Sequence, residues 1–162
     1  MTVAGKRLQM HVADYAATES DLWFYDPQAK VAVVGDLVVG IMPFMDTACA
    51  DGWKAALNDI SAVPFTTLIP GHGPVMSRTD FLAWKTAYEN YIACGRSQAE
   101  VKTCVDGWQR DAAQFISESD RKYVAEGADY YLKTRVRSKP EEQLKFCRPG
   151  PAPAASAQPE RG

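Results

Sequence analysis

The sequence predicts an α+β fold in which helices cover one face of a mostly antiparallel sheet. Three observations predict it. Short apolar runs bounded by turn residues fill the first 35 positions, apolar residues at helical spacing dominate from Asp51 onward, and one further strand, Phe65 to Ile69, interrupts those helices. Strands that come first and helices that come later segregate into a sheet covered on one side. At 162 residues, the expectation is one core with appendages.

Leu8 to Val12 and Asp21 to Tyr25 are short predicted strands, and Val31 to Val34 is a valine-rich run of the kind a buried strand shows. Asp26-Pro27-Gln28-Ala29-Lys30 supplies the Asp and Pro of a turn, so the last two strands form an antiparallel hairpin. From Gly35 to Asp51 no period is visible, and a loop of that length in a compact domain points to function. Trp53, Ala56, Leu57 and Ile60 then repeat at helical spacing, with Asp51 placed to cap the helix and Pro64 closing it. Phe65 to Ile69 runs into Pro70-Gly71-His72-Gly73-Pro74, a turn with a glycine on either side of a histidine.

Ser77 with Asp80 forms a capping pair ahead of a stripe of Phe81, Trp84, Tyr88, Tyr91 and Ile92. Ser97 with Glu100 is expected to do the same ahead of Val101, Cys104, Val105, Trp108, Ala112 and Phe115. A last helix, about Asp120 to Thr134, carries Tyr123, Val124, Ala128, Tyr131 and Leu132. The aromatic stripes are packing faces. Past Arg148 the chain turns to Pro, Ala and Gly, a composition that cannot bury apolar surface, so residues 149–162 are expected to be a disordered tail.

Eighteen Lys plus Arg against twenty Asp plus Glu, with no run of like charges, argue against electrostatic binding of nucleic acid or a membrane surface. The longest apolar run, Val31 to Met45, is broken by Asp36 and Pro43 and falls short of the roughly 20 apolar residues of a membrane span. Leu8 to Asp14 alternates where a signal peptide would have its apolar core. Four cysteines make no CxxC pair. Cys94 and Cys104 flank the break between two helices, where they form either a disulfide or two buried thiols.

Two strand ends carry residue types that bind metal. In Val33-Val34-Gly35-Asp36 a carboxylate follows an apolar strand, and in Leu68-Ile69-Pro70-Gly71-His72 an imidazole does. Strands ending side by side would set Asp36 and His72 at one rim, and such a donor pair suits zinc or iron. Each also has a plain structural role open to it, as a strand-end turn residue. His11 is read as a surface or packed strand residue. A separate site built from Asp36, Asp46, Asp51 and His72 around the long loop is a further alternative.

The run Asp21-Leu-Trp-Phe-Tyr-Asp-Pro-Gln-Ala-Lys-Val-Ala-Val-Val-Gly-Asp36-Leu-Val, followed by Pro-Gly-His72-Gly-Pro, resembles the second half of a metallo-β-lactamase superfamily domain. The resemblance covers roughly Leu8 to Tyr91. It implies a partial metallo-β-lactamase-like sandwich over residues 1–93, with residues 94–148 as a helical extension. It also implies a zinc-dependent hydrolase in which Asp36 bridges two metals and His72 binds the second, acting on a small-molecule substrate. Two such metals lower the pKa of a bound water and polarise the bond it attacks. Gly40 to Ala50, with Met42, Phe44 and Met45, would then be either a substrate rim or an apolar plug.

The family's HxHxDH cluster is absent from this sequence, and Ala17 stands where a further histidine is expected, with Asp14 and Glu19 as the nearest substitutes. Two ligands are fewer than the three of a catalytic zinc site. The chain is therefore expected to be inactive by itself, as a truncated product or half of a split domain, or else a non-catalytic binding protein. A parent protein of periplasmic or secreted type is compatible with this reading. A half-sheet leaves an apolar face and an open edge, which favours self-association.

Overall fold

Side-chain alternation builds the sheet. In the computed structural model, which describes residues 1–3 and 5–147, a two-stranded hairpin of β1 (Thr2–Val3) and β2 (Lys6–Arg7) precedes the main sheet. That sheet has five strands in sequence order: β3 (Gln9–Asp14), β4 (Ser20–Asp26), β5 (Val31–Val39), β6 (Thr67–His72) and β7 (Met76–Ser77). It is mixed, because β5 and β6 run parallel while the other neighbours are antiparallel. A parallel pair needs a crossover, and α1 (Ala50–Ala62) supplies it. The predicted tail, residues 149–162, lies outside the described residues.

The β4–β5 hairpin forms where the sequence places it. Asp26 turns back on the chain, its Oδ1 accepting from the amides of Gln28 and Ala29, each at 2.9 Å. The next strand runs past its predicted end at Val34. Gly35, at φ +52°, makes an irregularity, and the strand then continues to Val39 beside β6. The functional loop expected from Gly35 to Asp51 therefore shortens to 40–49.

Helices α2 (Arg78–Arg96), α3 (Val101–Asp111), α4 (Arg121–Tyr131) and the short α5 (Pro140–Gln143) complete the fold. Ser77 and Asp80 form the reciprocal capping box at α2. Two other caps differ from expectation. Cys49, not Asp51, stands at the α1 N-cap, and Asp51 lies in the first turn. Ser97 closes α2 by donating its Oγ and amide to the Cys94 carbonyl, so α3 starts at Glu100 without a side-chain cap.

The sheet has one covered and one open face. On the covered face Ala13, Trp23, Tyr25, Ala32, Val34 and Leu68 are buried in the core beneath the helices. Burial of Val34 and Leu68 stabilises by roughly 1.5–3 kcal/mol each, and of an alanine methyl by about 0.8 kcal/mol. His11 lies on this side too, stacked on Trp23 with ring centroids 3.8 Å apart, which selects the packed of the two strand roles open to it. On the open face the cross-strand partners Met10 and Phe24, Val12 and Leu22, and Val33 and Ile69 are apolar. Five of these six are 40–54% exposed, and Phe24 is half-buried.

Both cysteine pairs are closed. Cys94–Cys104 joins the end of α2 to α3, and Cys49–Cys147 joins positions 98 residues apart, pinning the segment after α5 to the start of α1. The sequence suggested only the first.

Candidate functional site

Asp36 and His72 meet at one end of the open sheet face. They sit on neighbouring parallel strands, and His72 pairs in register with Val39. The amide of Gly40 donates to the His72 carbonyl at 2.9 Å, which holds the two strand ends together. His72 Nε2 lies 3.4 Å from Asp36 Oδ1, and both side chains are mostly exposed.

Two features place the carboxylate. A Cβ on Gly71 would overlap Asp36 Oδ1, so the glycine makes the space that the carboxylate occupies. On the far side of the strand, three indoles hold the backbone that follows Asp36. Trp53 Nε1 donates to the Leu37 carbonyl at 2.9 Å, Trp84 Nε1 to Val39 at 3.0 Å, and Trp108 Nε1 to Ile41 at 3.1 Å. The carbonyls of residues 37, 39 and 41 are thus satisfied by helix side chains on the side away from β6, where the pairing of β5 with β4 ends at Val33. Sequence reasoning found the tryptophans as packing residues but missed this role, since only the topology brings them to one strand.

The donor types fit a zinc ion, and so does their spacing. A separation of 3.4 Å exceeds an ordinary hydrogen bond of about 2.7–3.2 Å. Two ligands bound at about 2.1 Å with a tetrahedral angle between them stand about 3.4 Å apart. The donor number does not fit. Among the described residues no group of three or more His, Cys, Asp or Glu side chains is placed to hold an ion.

The neighbours named from the sequence do not complete it. Asp14 follows Met10 and Val12 on the open face but belongs to β3, two strands away from β5. Ala17 is buried in the core. The alternative site of Asp36, Asp46, Asp51 and His72 is not assembled. Asp46 accepts from the Tyr131 hydroxyl at 2.7 Å, and Asp51 forms a two-pronged pair with Arg96 at 2.7 and 3.0 Å. The Arg96 guanidinium, first by hydrogen bonding, holds the Asp51 carboxyl below its ordinary range. Met42 and Met45 are buried and Phe44 packs against the core, so the loop plugs the helical side.

No protein-family model matches this sequence, and no curated protein matches it. Among the described residues no helix is long and apolar enough to cross a membrane. An open hollow of about 650 Å³, lined by Tyr15, Thr18, Glu19, Thr47 and residues 144–147, does not include Asp36 or His72.

Proposed function

We propose that this chain carries half of the metal site of a metallo-β-lactamase-like, metal-dependent hydrolase, with Asp36 as the bridging ligand and His72 as a ligand of the second zinc. The observation that carries this reading is the 3.4 Å approach of the two side chains from neighbouring strand ends. The open apolar face beside them supports the sandwich part of the reading, because a second sheet stacked there would bury it. In such a site the zinc ions would supply an activated water. This chain's contribution is to hold a carboxylate oxygen and an imidazole nitrogen at fixed spacing, through Gly71 and the three indoles. Two donors leave the set incomplete, so residues 1–147 by themselves are assigned no hydrolytic step.

Zinc content of the purified protein, compared with the Asp36→Ala/His72→Ala double variant, tests the reading. Bound zinc that disappears in the variant supports it, and hydrolysis of ester, lactam and phosphodiester substrates would then be assayed. Zinc unchanged in the variant, or no shift of the His72 imidazole resonances when excess zinc is added to the parent chain, overturns it. A second reading, a non-catalytic binding protein, is favoured by one observation: Ala17, where the resemblance calls for a histidine, is packed into the core and offers no donor.

A further inference from the structure

The disulfide between α2 and α3 has two unlike sulfurs. Cys104 is 1% exposed, while Cys94 is half-buried. Both residues border a hollow of about 210 Å³ that also reaches Thr103 and Trp108. On the Cys104 side, Arg137 Nη2 lies 4.0 Å from Sγ. Its guanidinium is fixed by two main-chain carbonyls, Nε donating to Gly95 at 2.7 Å and Nη2 to Ala99 at 2.6 Å. Carbonyls orient the group without cancelling its charge, and among the described residues it forms no ion pair.

We infer that Cys94–Cys104 is a thiol-exchange site, opened at Cys94 by a small-molecule thiol, with Cys104 as the leaving sulfur. The incoming thiol gives its proton to solvent, and its thiolate forms a bond to Cys94 Sγ. The Cys94–Cys104 bond breaks, and its electron pair stays on Cys104 Sγ as a thiolate beside Arg137. One disulfide replaces another, so the step needs no oxidant or reductant beyond the thiol itself.

Two arguments set this pair apart from Cys49–Cys147. A neighbouring guanidinium lowers the pKa of a thiol, and a sulfur of lower pKa leaves faster in exchange. Arg137 stands where the departing charge develops, and the half-buried Cys94 is the sulfur that an incoming thiol can reach through the hollow. The second argument is loop length. In the chain-entropy account, opening a loop of 10 residues gives up less stability than opening one of 98, a difference of about thirtyfold in the reduction equilibrium. The hollow is also lined by Trp108, one turn past Cys104, whose indole holds the Ile41 carbonyl. A thiol seated there lies beside a side chain that fixes the backbone after Asp36.

The test treats the oxidised 162-residue chain with reduced glutathione at neutral pH, quenches with acid, alkylates in denaturant and maps each cysteine by mass spectrometry. Glutathione is expected on Cys94 and the alkyl group on Cys104, while Cys49–Cys147 stays closed. Arg137→Gln should slow the opening about threefold or more, since a leaving thiol of higher pKa departs more slowly. Arg137→Lys, which keeps the charge, should retain most of the parent rate. Loss of the two carbonyl contacts would by itself loosen the surroundings of the disulfide and speed its opening, so a slower variant separates charge from structure. Glutathione found on Cys104, on Cys49 or Cys147 first, or on no cysteine overturns the assignment. An Arg137→Gln rate equal to or above the parent's overturns the role of the guanidinium.

Discussion

Gly71 carries no side chain, and the Asp36 carboxylate stands where its Cβ would be. Gly71→Ala should therefore displace Asp36 and cost about 1–3 kcal/mol, the usual range for forcing an atom into filled space. Urea unfolding measures it. Adding Asp36→Ala should recover only part of the loss, because the backbone of Gly35 and Asp36 also crowds that position. Full recovery would show that the side chain alone sets the spacing.

Trp108→Phe keeps a ring in the core but removes the donor to the Ile41 carbonyl. An orphaned acceptor costs about 1–3 kcal/mol when fully buried; the Ile41 carbonyl is half-buried, so about 1 kcal/mol is expected there, and part of the indole's packing is lost as well. Unfolding midpoints of Trp53→Phe, Trp84→Phe and Trp108→Phe should all fall. A neutral Trp53 or Trp84 variant would mean that water replaces the indole.

Local chemistry was legible in the sequence and long-range pairing was not. Asp26 and the Ser77–Asp80 box act within three residues of themselves, so residue type and spacing sufficed. Cys94 and Cys104 are ten residues apart across a helix break, close enough for the pairing to be one of two options. Cys49–Cys147 spans 98 residues, and only the packed helices bring its ends together. The strand beyond Gly35 escaped notice because its carbonyls are satisfied by indoles and its pairing is irregular. The meeting of Asp36 with His72 was anticipated from two strand ends, while the role of Gly71 depends on a register that sequence does not show.

Removing the two disulfides separately should cost different amounts. In the chain-entropy account, a closed loop of 98 residues stabilises by about 4–5 kcal/mol and one of 10 residues by about 2–3 kcal/mol. The Cys49→Ser/Cys147→Ser variant should thus lose about 2 kcal/mol more than Cys94→Ser/Cys104→Ser in denaturant titrations. The reverse order would show that the segment after α5 is held by other contacts.

Tyr88 and Tyr91 are buried, each donating to a main-chain carbonyl, Ala50 and Ala128 respectively. Burial, the main cause, pushes both phenols well above the ordinary value of about 10. A folded-state pKa above the unfolded one gives stability that is complete below about pH 10 and declines as pH rises beyond it. In an alkaline titration these two phenols should ionise only together with unfolding, seen as a late tyrosinate absorbance step coincident with the change in tryptophan fluorescence. Ionisation of all tyrosines ahead of the fluorescence change would contradict their burial.

The three indoles that hold the strand after Asp36 arrive late in synthesis. Leu37, Val39 and Ile41 leave the ribosome 16, 45 and 67 residues before the tryptophans that bond them. A nascent chain that has reached the end of α1 can satisfy one of these carbonyls, and one that has reached the end of α2 can satisfy two. The rim that carries Asp36 is therefore finished only when Trp108 has emerged, and the first half of the molecule must wait, partly assembled, for the helices that follow it.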